Sequence, residues 1–227
     1  MSFLQESRGA VRPSAAAPSA VDRVYTAVAD AIITGTLAAS SLITEGEIAA
    51  SLSISRTPVR EAFLALEAHG LLTLFPKKGA VVTALGDRET AELLQVRVML
   101  ESTAVTLLSE RPADIPAVDV ELQELIRIQS DAAQTGDLLT FARADHRFHA
   151  RIVDETHNRV IDGIYTRLGP RLERLVHRAA LRDPRNLDRL TAEHRILAQH
   201  LRGGDAPAYE VALRQHVEDS HHAQLAP

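Results

Sequence analysis

The sequence of 227 residues has no cysteine and no tryptophan, and aromatic residues make up only 4% of it. The absence of cysteine excludes a disulfide framework and a thiolate metal site. With so few aromatic side chains, the core must be built from Leu, Val, Ile and Ala, which favours helices packed on helices. Apolar residues reach 45% of the chain, enough for one large domain or two ordinary ones.

Long apolar runs are also absent, and none approaches the ~20 residues that span a bilayer. Residues 1–20 show neither the continuous apolar stretch nor the basic leader of a secretory signal. The simplest prediction is a cytoplasmic protein without a membrane partner. The same residues are rich in Ala, Ser and Pro and have no hydrophobic period, so we expect a disordered tail.

Residues 21–85 have the pattern of three helices followed by a β-hairpin. Apolar residues recur at helical spacing in three stretches: 21–32, 45–52 and about 55–69. Two short β-like runs, 72–75 and 80–83, then flank a Pro-Lys-Lys-Gly turn. This order of elements predicts a winged helix-turn-helix domain with a two-stranded wing.

The third helix carries basic side chains at its N-terminal end. Arg56 and Arg60 are four residues apart and therefore share one helical face. In a helix-turn-helix that end enters the major groove, where Arg can donate two hydrogen bonds to guanine. The hydroxyl groups of Ser55 and Thr57 can reach phosphates or bases. The alternative is a solvated face on which Glu61 pairs locally with these arginines.

Local charge supports a DNA partner better than total charge does. The chain has 25 basic and 30 acidic residues, a net charge of −5, which does not by itself indicate nucleic acid. Lys77 and Lys78, however, lie at the tip of the predicted wing, where they would contact the DNA backbone or minor groove. We therefore expect a basic surface formed by the third helix and the wing tip.

From residue 86 to the end the hydrophobic pattern is helical throughout. The predicted helices are 88–110, 115–135, 138–155, 158–180, 187–202 and 206–223. The chain is therefore predicted to be mainly α, with a small β-hairpin wing in its N-terminal domain and an antiparallel helical bundle at 86–227.

Four polar residues interrupt apolar helical stripes in this second domain. Asp145 and His149 lie on the stripe of helix 138–155, and His194 and His216 lie on the stripes of the last two helices. Burying these groups without partners is costly. A shared divalent ion, Zn²⁺ or Ni²⁺, would satisfy all four. The alternative is that Asp145 bonds one histidine and the others are satisfied core residues.

Arg97 also lies on a core-facing stripe, between Leu93 and Leu100. Its guanidinium could bind the carboxylate of an effector beside the metal. The alternative is an intrahelical pair with Glu101, four residues further on. The remaining histidines lie off the stripes, at their edge or near the end of the chain and are poorer ligand candidates: His146, His157, His177, His200, His221 and His222.

The predicted recognition helix and wing resemble those of the GntR family of bacterial regulators, in the run SISRTPVREAFLALEAHGLLTLFPKKGAVV. The resemblance covers roughly residues 21–85. It implies that the two arginines of the third helix contact an operator, assisted by Ser55, Thr57 and the turn at Gly79. The chain departs from the family at residues 38–41, where Ala-Ala-Ser-Ser stands in place of the usual Pro-Gly.

The second half, roughly residues 88–220, is similar to the ligand-binding domain of the FadR subfamily of these regulators. The similarity lies in the segments ADHRFHARIV, EHRILAQHL and RQH. Metal-binding members of that subfamily use one Asp and three His. The resemblance therefore implies an FCD-type domain in which the same four residues bind the metal. It also implies that Arg97 lines an effector pocket.

These observations predict a transcription regulator, more often a repressor than an activator in such families, that responds to an effector resembling an organic acid. We expect a homodimer on an inverted-repeat operator, because one recognition helix reads too few bases. One alternative is a metal that only ties three helices together. The other is a metal-dependent enzyme, which the absence of a separate general base on the stripes disfavours.

Overall fold

The structure, a computed structural model, describes residues 17–225, and describes side chains only as far as residue 220. Most of the predicted tail, residues 1–16, lies outside the described residues. The end of that tail is ordered, because Ser19 caps helix α1 (Ala20–Ile33). Its hydroxyl accepts a hydrogen bond from the backbone nitrogen of Asp22 at 3.1 Å, and the Asp22 carboxylate accepts one from the backbone nitrogen of Ser19 in return.

The N-terminal domain is a winged helix-turn-helix whose wing has three strands rather than the predicted two. Its further elements are β1 (Leu42–Ile43), α2 (Glu45–Leu52), α3 (Arg56–Ala68), β2 (Leu72–Phe75) and β3 (Gly79–Val82). The sheet is antiparallel in the order β1-β3-β2. At two residues, β1 is too short to leave an alternating pattern in the sequence.

The core of this domain explains why α3 exposes its basic face. Val59, Phe63 and Leu66 are almost completely buried, and they pack with Val28 and Ile32 of α1. With this face fixed against the core, the opposite face of α3 must point to solvent.

The second domain contains the six predicted helices. They are α4 (Asp87–Ser109), α5 (Ile115–Thr135), α6 (Leu138–Val153), α7 (Arg159–Arg182), α8 (Asn186–Arg202) and α9 (Ala206–Leu225). The mainly helical fold class is therefore confirmed. A 3-10 turn, Asp154–Thr156, replaces the predicted last turn of α6, and α7 extends beyond its predicted end at residue 180. Within residues 17–225, no helix is long and apolar enough to cross a membrane.

Arginines of α6 and α7 connect the two domains. Helix α1 packs against α7, and Arg174 of α7 donates to the carbonyl of Thr83 at 2.6 Å, at the end of the wing. Two further contacts of this kind are Arg143 with Asp30 and Arg178 with the carbonyl of Leu85. The α6–α7 pair is thus the part of the helical domain that these contacts join to the N-terminal domain.

Candidate metal centre and DNA-reading surface

Asp145 and the three stripe histidines meet in the interior of the helical domain. Their side chains come from α6, α8 and α9, and all four residues are at most 2% exposed. The Nε2 atom of His194 lies 3.1 Å from Nε2 of His149, 3.3 Å from Nε2 of His216 and 3.4 Å from Oδ1 of Asp145. The structure therefore brings together the four residues that the sequence singled out.

The opposite nitrogen of each imidazole faces an acceptor. The Nδ1 atom of His149 is 2.7 Å and 2.9 Å from the two carboxylate oxygens of Glu101. Nδ1 of His194 is 2.5 Å from Oε1 of Gln129. Nδ1 of His216 is 2.7 Å from Oε2 of Glu193. These acceptors favour a proton on every Nδ1, which leaves an Nε2 lone pair on each ring pointing at the others.

Three converging lone pairs and a carboxylate oxygen repel one another unless a cation lies between them. Metal–ligand bonds of about 2.1 Å place neighbouring ligand atoms about 3.0 Å apart in an octahedral site and about 3.4 Å apart in a tetrahedral one. The observed separations of 3.1–3.4 Å lie within that range. The residues thus fit Zn²⁺ or Ni²⁺ bound through one oxygen and three imidazoles.

Electrostatics favour the neutral imidazoles that metal binding requires. Burial, assisted by the charge of Arg97, holds the pKa of His149 far below its ordinary value. Burial, with His216 and Arg97 contributing, does the same to the pKa of His194. Burial also raises the pKa of Asp145, against the opposing charge of Arg97. A divalent cation would restore the charged form of this carboxylate.

Arg97 lies at the edge of this centre, almost completely buried on α4. Its Nη2 atom is 3.6 Å from Oδ2 of Asp145. Within the described part of the chain, its Nε and Nη2 atoms and Oδ2 of Asp145 have no hydrogen-bond partner. The close partner of Arg97 is thus Asp145, whereas Glu101 bonds His149 and the hydroxyl of Tyr209.

Sequence reasoning missed the residues that orient the imidazoles. Gln129 could have been identified from the sequence, because it continues the apolar face of Leu122 and Ile126 at helical spacing. The structure buries it completely. Glu101 was considered only as a partner for Arg97. Glu193 directly precedes His194, and no pattern distinguishes it from an exposed helical glutamate.

The other histidines whose side chains the structure describes lie outside the four-residue centre. His177 is buried, although its position off the predicted stripe indicated an exposed side chain. His146 contacts Gly169 on α7. The side chains of His221 and His222 lie outside the described residues. A second group of possible metal donors, Asp114, Glu155 and His157, is already neutralised, because Arg151 donates to the Glu155 carboxylate at 2.6 Å.

A groove of about 750 Å³ separates the exposed end of α3 from the wing. Its walls include Thr44, Arg56, Arg60, Lys77, Lys78 and Gly79. None of the four basic side chains makes an ion pair with another described residue, so the local pairing with Glu61 is not formed. Ser55 occupies the N-cap position of α3 without a side-chain capping bond, so its hydroxyl, like that of Thr57, is exposed for other contacts.

Gly79 has a structural reason for being glycine. Its φ of +111° is strained for residues with a side chain, and a Cβ atom there would lie 2.4 Å from the carbonyl oxygen of Ile43. Lys77, with a φ of 63°, completes the turn. The wing is also bonded to α3, because Oε1 of Glu67 accepts from the backbone nitrogen of Leu74 at 2.8 Å.

Comparison with known families supports both halves of this description. Residues 20–82 match the family model described as bacterial regulatory proteins, gntR family, and residues 92–219 match the FCD domain. The chain belongs to the GntR family. Its FCD domain agrees with the predicted FadR subfamily, and the winged domain makes this GntR regulator a DNA-binding protein.

Relatives of this GntR regulator are named as regulators of transcription. It is 31% identical to the "Probable D-xylose utilization operon transcriptional repressor" of Paenarthrobacter nicotinovorans, over 82% of this chain and 80% of that protein. It is 27% identical to the gluconate operon transcriptional repressor of Bacillus subtilis, over 83% of this chain and 78% of that protein. These relatives confirm that the chain is a transcription regulator and not an enzyme.

The fold of the GntR regulator is also found in a solved structure, Escherichia coli McbR/YncC. The TM-score is 0.76 at 23% identity, and the match covers 92% of this chain and 98% of that one. At this identity the likeness concerns the fold alone.

Proposed function

We propose that this GntR regulator is a repressor whose operator affinity is set by an organic carboxylate, bound between a divalent metal and Arg97. Asp145, His149, His194 and His216 hold the metal. The carboxylate would bind the metal on the side that the four protein ligands leave open, and the guanidinium would hold its second oxygen.

The observation that carries this proposal is the unsatisfied guanidinium. An arginine that is 2% exposed and leaves two nitrogens without hydrogen-bond partners in residues 17–225 is costly. Asp145 at 3.6 Å supplies charge but no hydrogen bond of ordinary length. A ligand carboxylate would supply the missing acceptors and, through its charge, would also favour the metal.

For the DNA contacts we propose two groups of residues. Arg56 and Arg60 read base edges in the major groove, with the hydroxyls of Ser55 and Thr57 nearby, because they share the exposed N-terminal end of α3. The wing turn, Lys77, Lys78 and Gly79, contacts the backbone or minor groove. We further propose a homodimer on an inverted repeat, since one recognition helix covers only a half-site.

The test begins with metal content and an operator selected from random DNA. The purified protein should hold about one Zn²⁺ or Ni²⁺ per chain, since four ligands form one site. The double variant His149→Ala, His194→Ala should lose it. His200→Ala, on the same helix as His194 but outside the centre, is the matched control and should keep it.

Carboxylates are then screened for an effect on operator affinity. Citrate and succinate would be compared with succinamide, which has the shape of succinate without its charge. An active carboxylate should lose its effect in Arg97→Met, whereas Arg88→Met, an exposed arginine on the same helix, should respond as the wild type does. A full carboxylate response in Arg97→Met would refute the assigned role of this residue.

A purely structural metal is the second candidate, because the four ligands join three helices of the bundle. It predicts that chelation lowers the unfolding temperature while no carboxylate changes operator affinity at any metal concentration.

A further inference from the structure

A crevice of about 330 Å³ lies where the DNA-binding domain meets the helical domain. The winged domain contributes Tyr25 of α1 and His69, the residue that ends α3. The helical domain contributes residues of α6 and α7, among them His146, Tyr165 and Glu173. Neither the DNA surface nor the metal centre uses this crevice, yet its volume lies in the range of small-molecule sites.

Buried polar atoms of the crevice lack partners. The hydroxyl of Tyr165, a residue only 3% exposed, has no hydrogen-bond partner among the described residues. The same holds for Nδ1 of His146 and Oδ1 of Asp162. Buried polar atoms are normally hydrogen-bonded, so three unpaired atoms on one cavity wall indicate a missing ligand or ordered water.

The wall that carries these atoms is held in a defined shape. The rings of His146 and Tyr165 stack at a centroid distance of 5.6 Å and an angle of 15°. His146 rests on α7 at Gly169, where a Cβ atom would lie 2.6 Å from the imidazole Nε2. With Nε2 against the helix, Nδ1 is the nitrogen left without a partner.

Carboxylates are the charged groups that line the crevice, although the charge of the buried Arg97 also acts on Tyr165 and His146 from outside its lining. Asp154, Asp162 and Glu173 line it, and no lysine or arginine does so within the described residues. Burial raises the pKa of Glu173 to about 6, although the charges of Arg143 and Arg147 oppose this. Arg143 is already paired with Asp30, outside the crevice.

A single metal ion does not fit this arrangement. One ion needs at least three donor atoms close together. Among the described residues, two groups meet this condition, and neither contains a carboxylate or histidine of the crevice. The acceptors of the crevice are spread along its wall. They suit a larger cation that has several N–H donors, such as an alkylammonium ion.

We propose that this crevice binds a small organic ammonium compound, such as a diamine, as a second ligand of the regulator. The ammonium group donates to the hydroxyl of Tyr165, to Oδ1 of Asp162 and to Nδ1 of His146. Glu173 neutralises its charge. No residue that lines the crevice is a proposed metal ligand, so it is a second site, although the charges of Arg97 and Asp145 also act on Tyr165.

Such a ligand would touch the end of the recognition helix. The hydroxyl of Tyr25 lies 2.5 Å from Nδ1 of His69, and both residues form the DNA-domain wall of the crevice. An occupant therefore bridges the two domains and favours the arrangement in which both walls are in place.

The experiment is calorimetric titration of the full-length protein with 1,4-diaminobutane, before and after treatment with a chelator. The matched probes are 1,4-butanediol, which lacks the charge, and succinate, which reverses it. We expect saturable binding of the diamine alone, unchanged by chelation. Tyr165→Phe and Glu173→Gln should each weaken it by roughly tenfold or more, since each leaves a buried group unpaired.

Glu124→Gln, on the exposed face of α5, is the control variant and should bind as the wild type does. Tyr165→Phe removes one oxygen atom and keeps the ring that stacks on His146, so loss of the fold is not expected to obscure its result. The proposal is overturned if the diamine shows no saturable binding, if butanediol or succinate binds equally well, or if both crevice variants keep wild-type affinity.

Discussion

Replacing Glu101 by Gln should weaken metal binding although Glu101 is not itself a ligand. Both of its oxygens lie within 2.9 Å of Nδ1 of His149, and its side chain is fully buried. Burial raises the pKa of the Glu101 carboxyl to about 8, and a bound cation would favour its charged form. The amide keeps one acceptor but cannot supply the negative charge that makes the imidazole a better donor to the metal.

Loss of such an outer partner costs about 10–100-fold in metal affinity, or ~1.4–2.7 kcal/mol. Because Glu101 is completely buried and contacts the imidazole with both oxygens, we expect the upper end of that range. Glu193→Gln, which affects His216 through a side chain that is 20% exposed, should lie near the lower end.

The assay is competition for Zn²⁺ against a chromophoric chelator, with helical content checked by circular dichroism. Glu92→Gln, an exposed residue of the same helix, serves as the control. Unchanged zinc affinity in the Glu101 variant, with the helical content intact, would refute the argument that Nδ1 partners orient these imidazoles toward a metal.

Three further outcomes are expected from other parts of the chain. The double variant Arg56→Ala, Arg60→Ala should lose roughly 2–6 kcal/mol of specific operator binding in gel-shift titrations, because each bidentate contact is worth about 1–3 kcal/mol. Gly79→Ala should lower the unfolding temperature through a loss of about 1–3 kcal/mol, whereas Gly163→Ala, with open space around its helical position, should be neutral or slightly stabilising. Glu173→Gln should stabilise the protein at pH 7 by at most ~2 kcal/mol and much less at pH 4, in denaturant titrations, since burial raises the folded pKa to about 6.

The sign of the last effect follows from the ionisation of Glu173. Because its pKa is higher in the folded state, the stability that it contributes is complete below its unfolded pKa and is lost as the pH rises through about 6. A Gln variant that is destabilised at pH 7 would contradict this. An arginine variant that binds the operator with wild-type affinity at physiological salt, or equal melting of the two glycine variants, would contradict the other two expectations.

The sequence was sufficient for the four polar residues that interrupt the apolar stripes of α6, α8 and α9. Asp145, His149, His194 and His216 were found in this way because helical periodicity fixes which face is inward, and the structure places them together. The stripes alone left a shared ion and satisfied core residues as alternatives, and the resemblance decided between them, since periodicity fixes a face and not the neighbour against which it packs.

The contacts between the domains could not be predicted in the same way. The arginines of α7 that bond Thr83 and Leu85 follow no rule that separates them from an ordinary solvated face. Strand β1 was missed because a strand of two residues shows no alternation. The crevice depends on the contacts between the domains, since its two walls belong to segments far apart in the chain.

Helix α6 carries Arg143, Asp145, His146 and His149 within two turns. Along the helix axis, the residue that bonds the DNA-binding domain is only about 3 Å from the first proposed metal ligand and about 9 Å from the second. A signal from the centre therefore needs no relay of side chains, because a stiff helix that tilts or slides moves all four residues together. In the proposed function, a displacement of α6 at the metal centre also moves the contact between Arg143 and Asp30. Changes in this segment should therefore alter how strongly the regulator responds more than how tightly it binds its ligand.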